Sequence, residues 1–116
     1  MWVMTPEGFY SAVENVQDRS QVVVRARVKS DLTRLMEFLP PEERTKPITI
    51  RNRDYPWRVF MSKVQWKHVL SRLADGVDYP NFKNEVFRVQ GPHREAVYHR
   101  VWAALLALEP RRRRAA

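Results

Sequence analysis

The sequence predicts an α+β fold: an antiparallel four-stranded sheet packed on helices. Three observations lead there. Gln21–Lys29 (QVVVRARVK) alternates with period two, with Val22, Val24, Ala26 and Val28 on one face and Arg25, Arg27 and Lys29 on the other. Other stretches repeat apolar residues at helical spacing. The two kinds of segment follow in the order strand, strand, helix, strand, strand, helix, helix, helix.

Taken in order, Trp2–Thr5 is a short apolar start and Pro6-Glu7-Gly8 a turn. Phe9–Asn15 alternates, with Phe9, Ser11 and Val13 against Tyr10, Ala12 and Glu14. Gln17–Ser20 is a polar connector short enough for a hairpin with Gln21–Lys29. Ser30 and Asp31 can each cap a helix starting near Leu32, because their oxygens accept from exposed helical N–H groups. Leu32, Leu35, Met36 and Leu39 make its apolar stripe, and Pro40-Pro41 ends it. Ile48–Asn52 predicts a short strand with Ile48 and Ile50 inward, and Trp57–Met61 another with Trp57, Val59 and Met61 on one face.

Ser62 and Gln65 fit a capping box for a helix that runs to about Ala74. Val64, Trp66, Val69, Leu70 and Leu73 are its apolar positions, and Gly76 suits a left-handed end. Asn81–Val89 reads as a short helix. Gly91-Pro92 separates it from His93–Leu108, where Val97, Val101, Ala104, Leu105 and Leu108 predict a buried stripe. Trp66 and Trp102 fall on such stripes and read as core. Residues 1–109 read as a single domain, and residues 110–116, with Arg111–Arg114, as a basic disordered tail.

Strand–helix–strand, hairpin and helix make up most of a ferredoxin-like βαββαβ arrangement. Phe9–Asn15 fills the place of its missing last strand from the N-terminal side, so the expected sheet is a permuted ferredoxin-like one. Its helix-facing side then carries Val22, Val24, Ala26, Val28, Ile48, Ile50, Val59 and Met61. Its other side carries Tyr10, Arg25, Arg27, Lys29, Arg51, Arg58 and Phe60. These seven residues are the candidate partner surface.

The segments MWVMTPEGFYSAVEN, VVVRARVKSDL, DYPWRV, DYPNFKNEV and YHRVW, in that order over residues 1–108, resemble a family of small uncharacterised proteins from bacteria and their phages. The resemblance implies no activity, cofactor or catalytic residue. The arginine tail lies outside it.

Charge and composition bound the function. The net charge is +8, and Arg111–Arg114 supply four of it, so the body carries 8 − 4 = +4. Such an excess suits nucleic acid or an acidic partner. There is no cysteine, so disulfides, zinc–thiolate sites and thiol nucleophiles are excluded. No apolar run approaches the about 20 residues of a membrane span, and the N-terminal segment lacks a signal-peptide pattern. A cytoplasmic protein with no membrane contact is expected. No P-loop, GxGxxG, GxSxG or EF-hand motif occurs, and three glycines cannot build a phosphate cradle. Neither catalysis nor a cofactor is expected.

Other constellations have plainer readings. Asp54-Tyr55-Pro56 and Asp78-Tyr79-Pro80 carry turn chemistry. Glu95 and His99 share a helical face but have no third ligand to complete a metal site. The aromatic–basic sheet face remains. Binding of a macromolecular partner, a host protein for a phage-like chain, is the expected role. A nucleic-acid module is the alternative, since cations along a backbone and rings under bases are what single strands require. Against it, the aromatic RNP1 motif of RNA-binding sheets is absent.

Overall fold

The computed structural model describes residues 1–111 of the chain. They form two compact units, Met1–Asp78 and Tyr79 onward.

The first unit is a five-stranded antiparallel sheet with two helices. The strands are β1 (Trp2–Met4), β2 (Phe9–Glu14), β3 (Gln21–Ala26), β4 (Ile48–Thr49) and β5 (Trp57–Ser62), in the order β1-β2-β3-β5-β4. The sequence led us to expect four strands. The fifth is Trp2–Met4, which pairs with Phe9–Ser11 across the Thr5–Gly8 turn and becomes an edge strand. It is too short for its alternation to stand out in the sequence. The four-stranded ferredoxin-like sheet is therefore replaced by a wider one.

Register fixes the two faces. Ala12 opposes Val24, Val24 opposes Val59, and Val22 opposes Met61. These side chains, with Tyr10 and Ala26, pack against Leu32, Leu35, Met36 and Leu39 of the first helical segment and Trp66 and Val69 of the second. Leu32 and Leu35 are fully buried, each contributing roughly 1.5–3 kcal/mol through loss of apolar surface to water.

Strand β3 stops at Ala26, earlier than the alternation suggests, and helix α1 (Lys29–Met36) begins at once. Its N-cap position is Val28, with no side-chain cap. Asp31 has a different task. It is buried, accepts from the Phe9 amide at 3.0 Å and pairs with Arg34 at 2.8 Å, while its own carbonyl accepts from the Tyr10 hydroxyl. A Cβ at Gly8 would lie 2.6 Å from that hydroxyl and 2.8 Å from Asp31 Cβ, so only glycine lets the turn approach α1 so closely.

Helix α2 (Lys63–Asp75) starts with the expected capping box: Gln65 N–H donates to Ser62 Oγ at 3.0 Å, and Ser62 N–H to Gln65 Oε1 at 2.9 Å. Val64 is 75% exposed rather than inward. Gly76 ends the helix at φ −78°, in the right-handed region, so no left-handed cap forms. Ile48 opposes Arg58 and thus leaves the core side, where the sequence had placed it. Ile50 is also exposed and lies beyond β4.

The second unit is a helical hairpin of α3 (Phe82–Gln90) and α4 (Pro92–Leu105), continued by a 3-10 turn Leu106–Leu108. Asn81 caps α3 by accepting from the Asn84 amide at 2.8 Å. Gly91 joins the helices at φ 89°. Phe82 stacks on Tyr98 with centroids 6.0 Å apart, and Val86 is fully buried. The stripe expected to be buried on α4 is instead open: Val97, Leu105 and Leu108 are exposed, and so is Trp102. Of the expected tail, residues 112–116 lie outside the described residues.

Candidate binding surface

The sheet side away from α1 and α2 is built by register. One row of side chains crosses all five strands: Trp2, Ser11, Arg25, Arg58 and Ile48 are successive cross-strand neighbours. The next row is Val13, Val23 and Phe60. Two arginines therefore stand directly opposite one another in the middle of a sheet, with apolar residues above and at the end of the row. Trp2 is 70% exposed, Ile48 48% and Phe60 41%. Trp2 meets Phe9 edge-on at 5.6 Å.

The arginine pair is under electrostatic load. Like charges directly opposed on neighbouring strands destabilise a sheet. Arg25 donates to Ser11 Oγ at 2.7 Å. Its guanidinium lies 4.8 Å from the Tyr55 ring centroid, and that of Arg27 lies 4.5 Å from the same ring. Arg27 also donates to the Asp54 carbonyl. The side chain of Arg58 makes no hydrogen bond or ion pair with any described residue. The Nε atoms of both Arg25 and Arg58 are shielded from solvent and lack a partner. A buried donor left unpaired costs about 1–3 kcal/mol. Burial first, then the charges of Arg25 and Arg53, push the Arg58 pKa below its ordinary value, with Asp54 opposing. A guanidinium nonetheless stays charged at any physiological pH. Such a pair suits an oxyanion supplied from outside.

The structure sorts the seven residues expected on this face. Arg25, Arg58 and Phe60 share it, in register. Arg27 lies just past the end of β3, over Tyr55. Tyr10 does not belong there: it pairs across from Val3 on the core side and is fully buried, because β2 puts it in step with Ala12. Lys29 has turned into α1 and lies 5.5 Å from the ring of Trp57, a core-side residue. Arg51 is in the turn after β4, beside Asn52 at φ 61°.

Trp2, Ser11, Ile48 and Tyr55 are on or beside this surface without having been expected there. Reading Trp2–Met4 as a strand would have found Trp2. Nothing in the DYP motif distinguishes Tyr55, 4% exposed and gripped by two guanidiniums, from an ordinary turn aromatic.

The other sequence candidates fall apart in space. Glu95 pairs with Lys83 at 3.6 Å, while His99 stacks on Trp102 at 5.3 Å. Among the described residues no three His, Cys, Asp or Glu side chains gather to hold a metal, and no helix is long and apolar enough to cross a membrane. The chain matches no protein-family model, no curated protein and no solved structure.

Proposed function

We propose that this is a small non-enzymatic binding protein that docks a protein partner on the outer face of its sheet, around Arg25, Arg58 and Phe60. The observation that carries this reading is Arg58, half-buried beside Arg25, whose side chain has no hydrogen-bond or ion-pair partner among the described residues. An acidic side chain of the partner would satisfy both guanidiniums. Trp2, Val13, Ile48 and Phe60 would supply the apolar area around it. Arginine and large aromatics surrounded by apolar contacts are what dominant interface residues look like.

A nucleic-acid partner fits less well. Tracking a phosphate backbone calls for a line of cations. The line Arg25, Arg27, Lys29 is cut when the chain turns into α1, and Tyr10 is buried in the core.

The test is affinity capture from cells of the source organism with three proteins side by side: wild type, Arg58→Glu, and Val16→Glu as a control at an exposed hairpin position. A protein held by wild type and Val16→Glu, and reduced at least about tenfold (1.4 kcal/mol) by Arg58→Glu, supports the reading. Equal capture by all three sinks it. In parallel, labelled single- and double-stranded oligonucleotides are titrated at two salt concentrations. Tight, steeply salt-dependent binding that is lost in Arg25→Ala and Arg58→Ala would establish the nucleic-acid reading instead.

A further inference from the structure

The charges gathered around Arg58 bear on which acidic group the sheet face takes. Arg25 and Arg27 both lie against the Tyr55 ring, and the charges of Arg25, Arg53 and Asp54 all act on Arg58. Four guanidiniums thus meet one carboxylate, an excess of three positive charges. None of these five charged residues is in an ion pair among the described residues, whereas Arg19, Arg34 and Arg88 each have an acid within 3.3 Å.

The site is also held ready. Arg25 donates from one terminal nitrogen to Ser11 Oγ, a residue 1% exposed, and its guanidinium is set against the buried Tyr55. A guanidinium already fixed by packing loses little freedom when it grips a ligand. Arg58 stands opposite it in register with its side-chain donors unused.

We propose that the acidic group docked between Arg25 and Arg58 is a phosphate monoester carried by a side chain of the partner protein. The inference rests on the docking face proposed above and names its ligand. A carboxylate brings one charge and two oxygens, and leaves most of the excess in place. A phosphate monoester brings a charge of about −1.5 to −2 and three acceptor oxygens at neutral pH, which suits two guanidinium forks side by side. Free phosphate would leave Trp2, Ile48 and Phe60, all exposed around the pair, uncovered. A nucleic-acid diester calls for a line of cations, and that line ends where the chain turns into α1.

The experiment is titration of the full chain with phenyl phosphate, phenyl sulfate, benzoate and inorganic phosphate, followed by amide and arginine Nε–H NMR signals. Phe60 stands two residues from Arg58 on the same face, roughly 7 Å along the strand, so a phenyl ester reaches both. Phenyl sulfate has the same shape with one charge fewer. In mildly alkaline buffer, where the phosphate ester is doubly ionised, it should bind at least about tenfold tighter than phenyl sulfate or benzoate and shift the Arg25 and Arg58 signals. Arg25→Gln and Arg58→Gln should each weaken it at least about tenfold. Arg72→Gln, which removes the same charge from an exposed position of α2, should not. Equal affinity for phenyl phosphate and phenyl sulfate in wild type, or no shift at the two arginines, would overturn the inference without recourse to any variant. Inorganic phosphate bound as tightly as phenyl phosphate would assign the site to the free ion and overturn it too. The capture experiment, repeated on extract treated with a phosphoprotein phosphatase, separates this inference from the reading beneath it. Loss of the captured protein is expected. Arg58-dependent capture that survives the treatment would leave the docking face standing and overturn the phosphate. Capture indifferent to Arg58 would remove the docking face itself, and with it a partner side chain as the source.

Discussion

Arg58 is the residue whose energetics and proposed role diverge. It is placed opposite Arg25, makes no ion pair among the described residues, and has the repulsion of its neighbouring arginines only partly offset by the charge of Asp54. Replacing it by glutamate turns a like-charge pair into an opposite-charge one, which in a sheet is favourable by roughly 0.2–1 kcal/mol. Arg58→Glu is therefore expected to melt at the same temperature as wild type or a few degrees higher, while losing the partner. Stability and binding would move in opposite directions, as they do where function holds a group in an unfavourable place. A lower melting temperature would mean that Arg58 supports the fold instead. Glu85 shows the contrasting case. The hydrogen bonds from Arg88, at 2.8 and 2.7 Å, hold its carboxyl below the ordinary glutamate value of 4.5. A depressed folded pKa stabilises above the unfolded value and is lost as pH falls through the folded one. The pair should thus support α3 at pH 5 and above and fade in more acidic solution. An NMR titration should place the Glu85 midpoint under 4.5, and Arg88→Gln should return it to the ordinary value.

At the scale of elements, the joints are more specific than the spans. The capping box of Ser62 and Gln65 and the cap of Asn81 were legible because each needs only residues three apart. Gly91, by contrast, serves as both the end of α3 and the start of α4 at φ 89° and ψ −176°, a conformation essentially closed to side chains. A Cβ there would touch nothing, so the penalty is purely one of backbone. Gly91→Ala should destabilise the hairpin by about 1–3 kcal/mol, seen as loss of helical signal at lower denaturant. An unchanged midpoint would show that the joint relaxes to another conformation. Strand β3 makes the complementary point. Its alternation continues to Lys29 in the sequence, yet the ladder with β5 ends at Ala26.

For the whole molecule, charge and recognition are separable. Half of the net +8 comes from Arg111–Arg114, whereas the proposed interface depends on two arginines of the sheet. A chain ending at Glu109 should elute from heparin at distinctly lower salt, since fewer counterions are released. It should still capture the same protein as the full chain. If truncation abolishes that capture, the tail and not the sheet is the binding element.

What the sequence by itself determined is everything governed by neighbours in the chain. The α+β class, the helices, the capping box, the Val22–Val24–Ala26 core row and the shared face of Arg25 and Arg58 all follow from periodicity and local hydrogen bonding. What only the tertiary structure decided is what depends on register and on which apolar faces find a partner. Tyr10 went to the core because β2 aligns it with Ala12, which opposes Val24. Ile48 left the core because its alignment places it beside Arg58. A shift of one residue inverts every side chain of a strand, and no local signal records the shift. The apolar stripe of α4 was equally visible in the sequence. A stripe shows that a helix has an apolar side but not whether that side is packed, and Val97, Leu105 and Leu108 stay exposed.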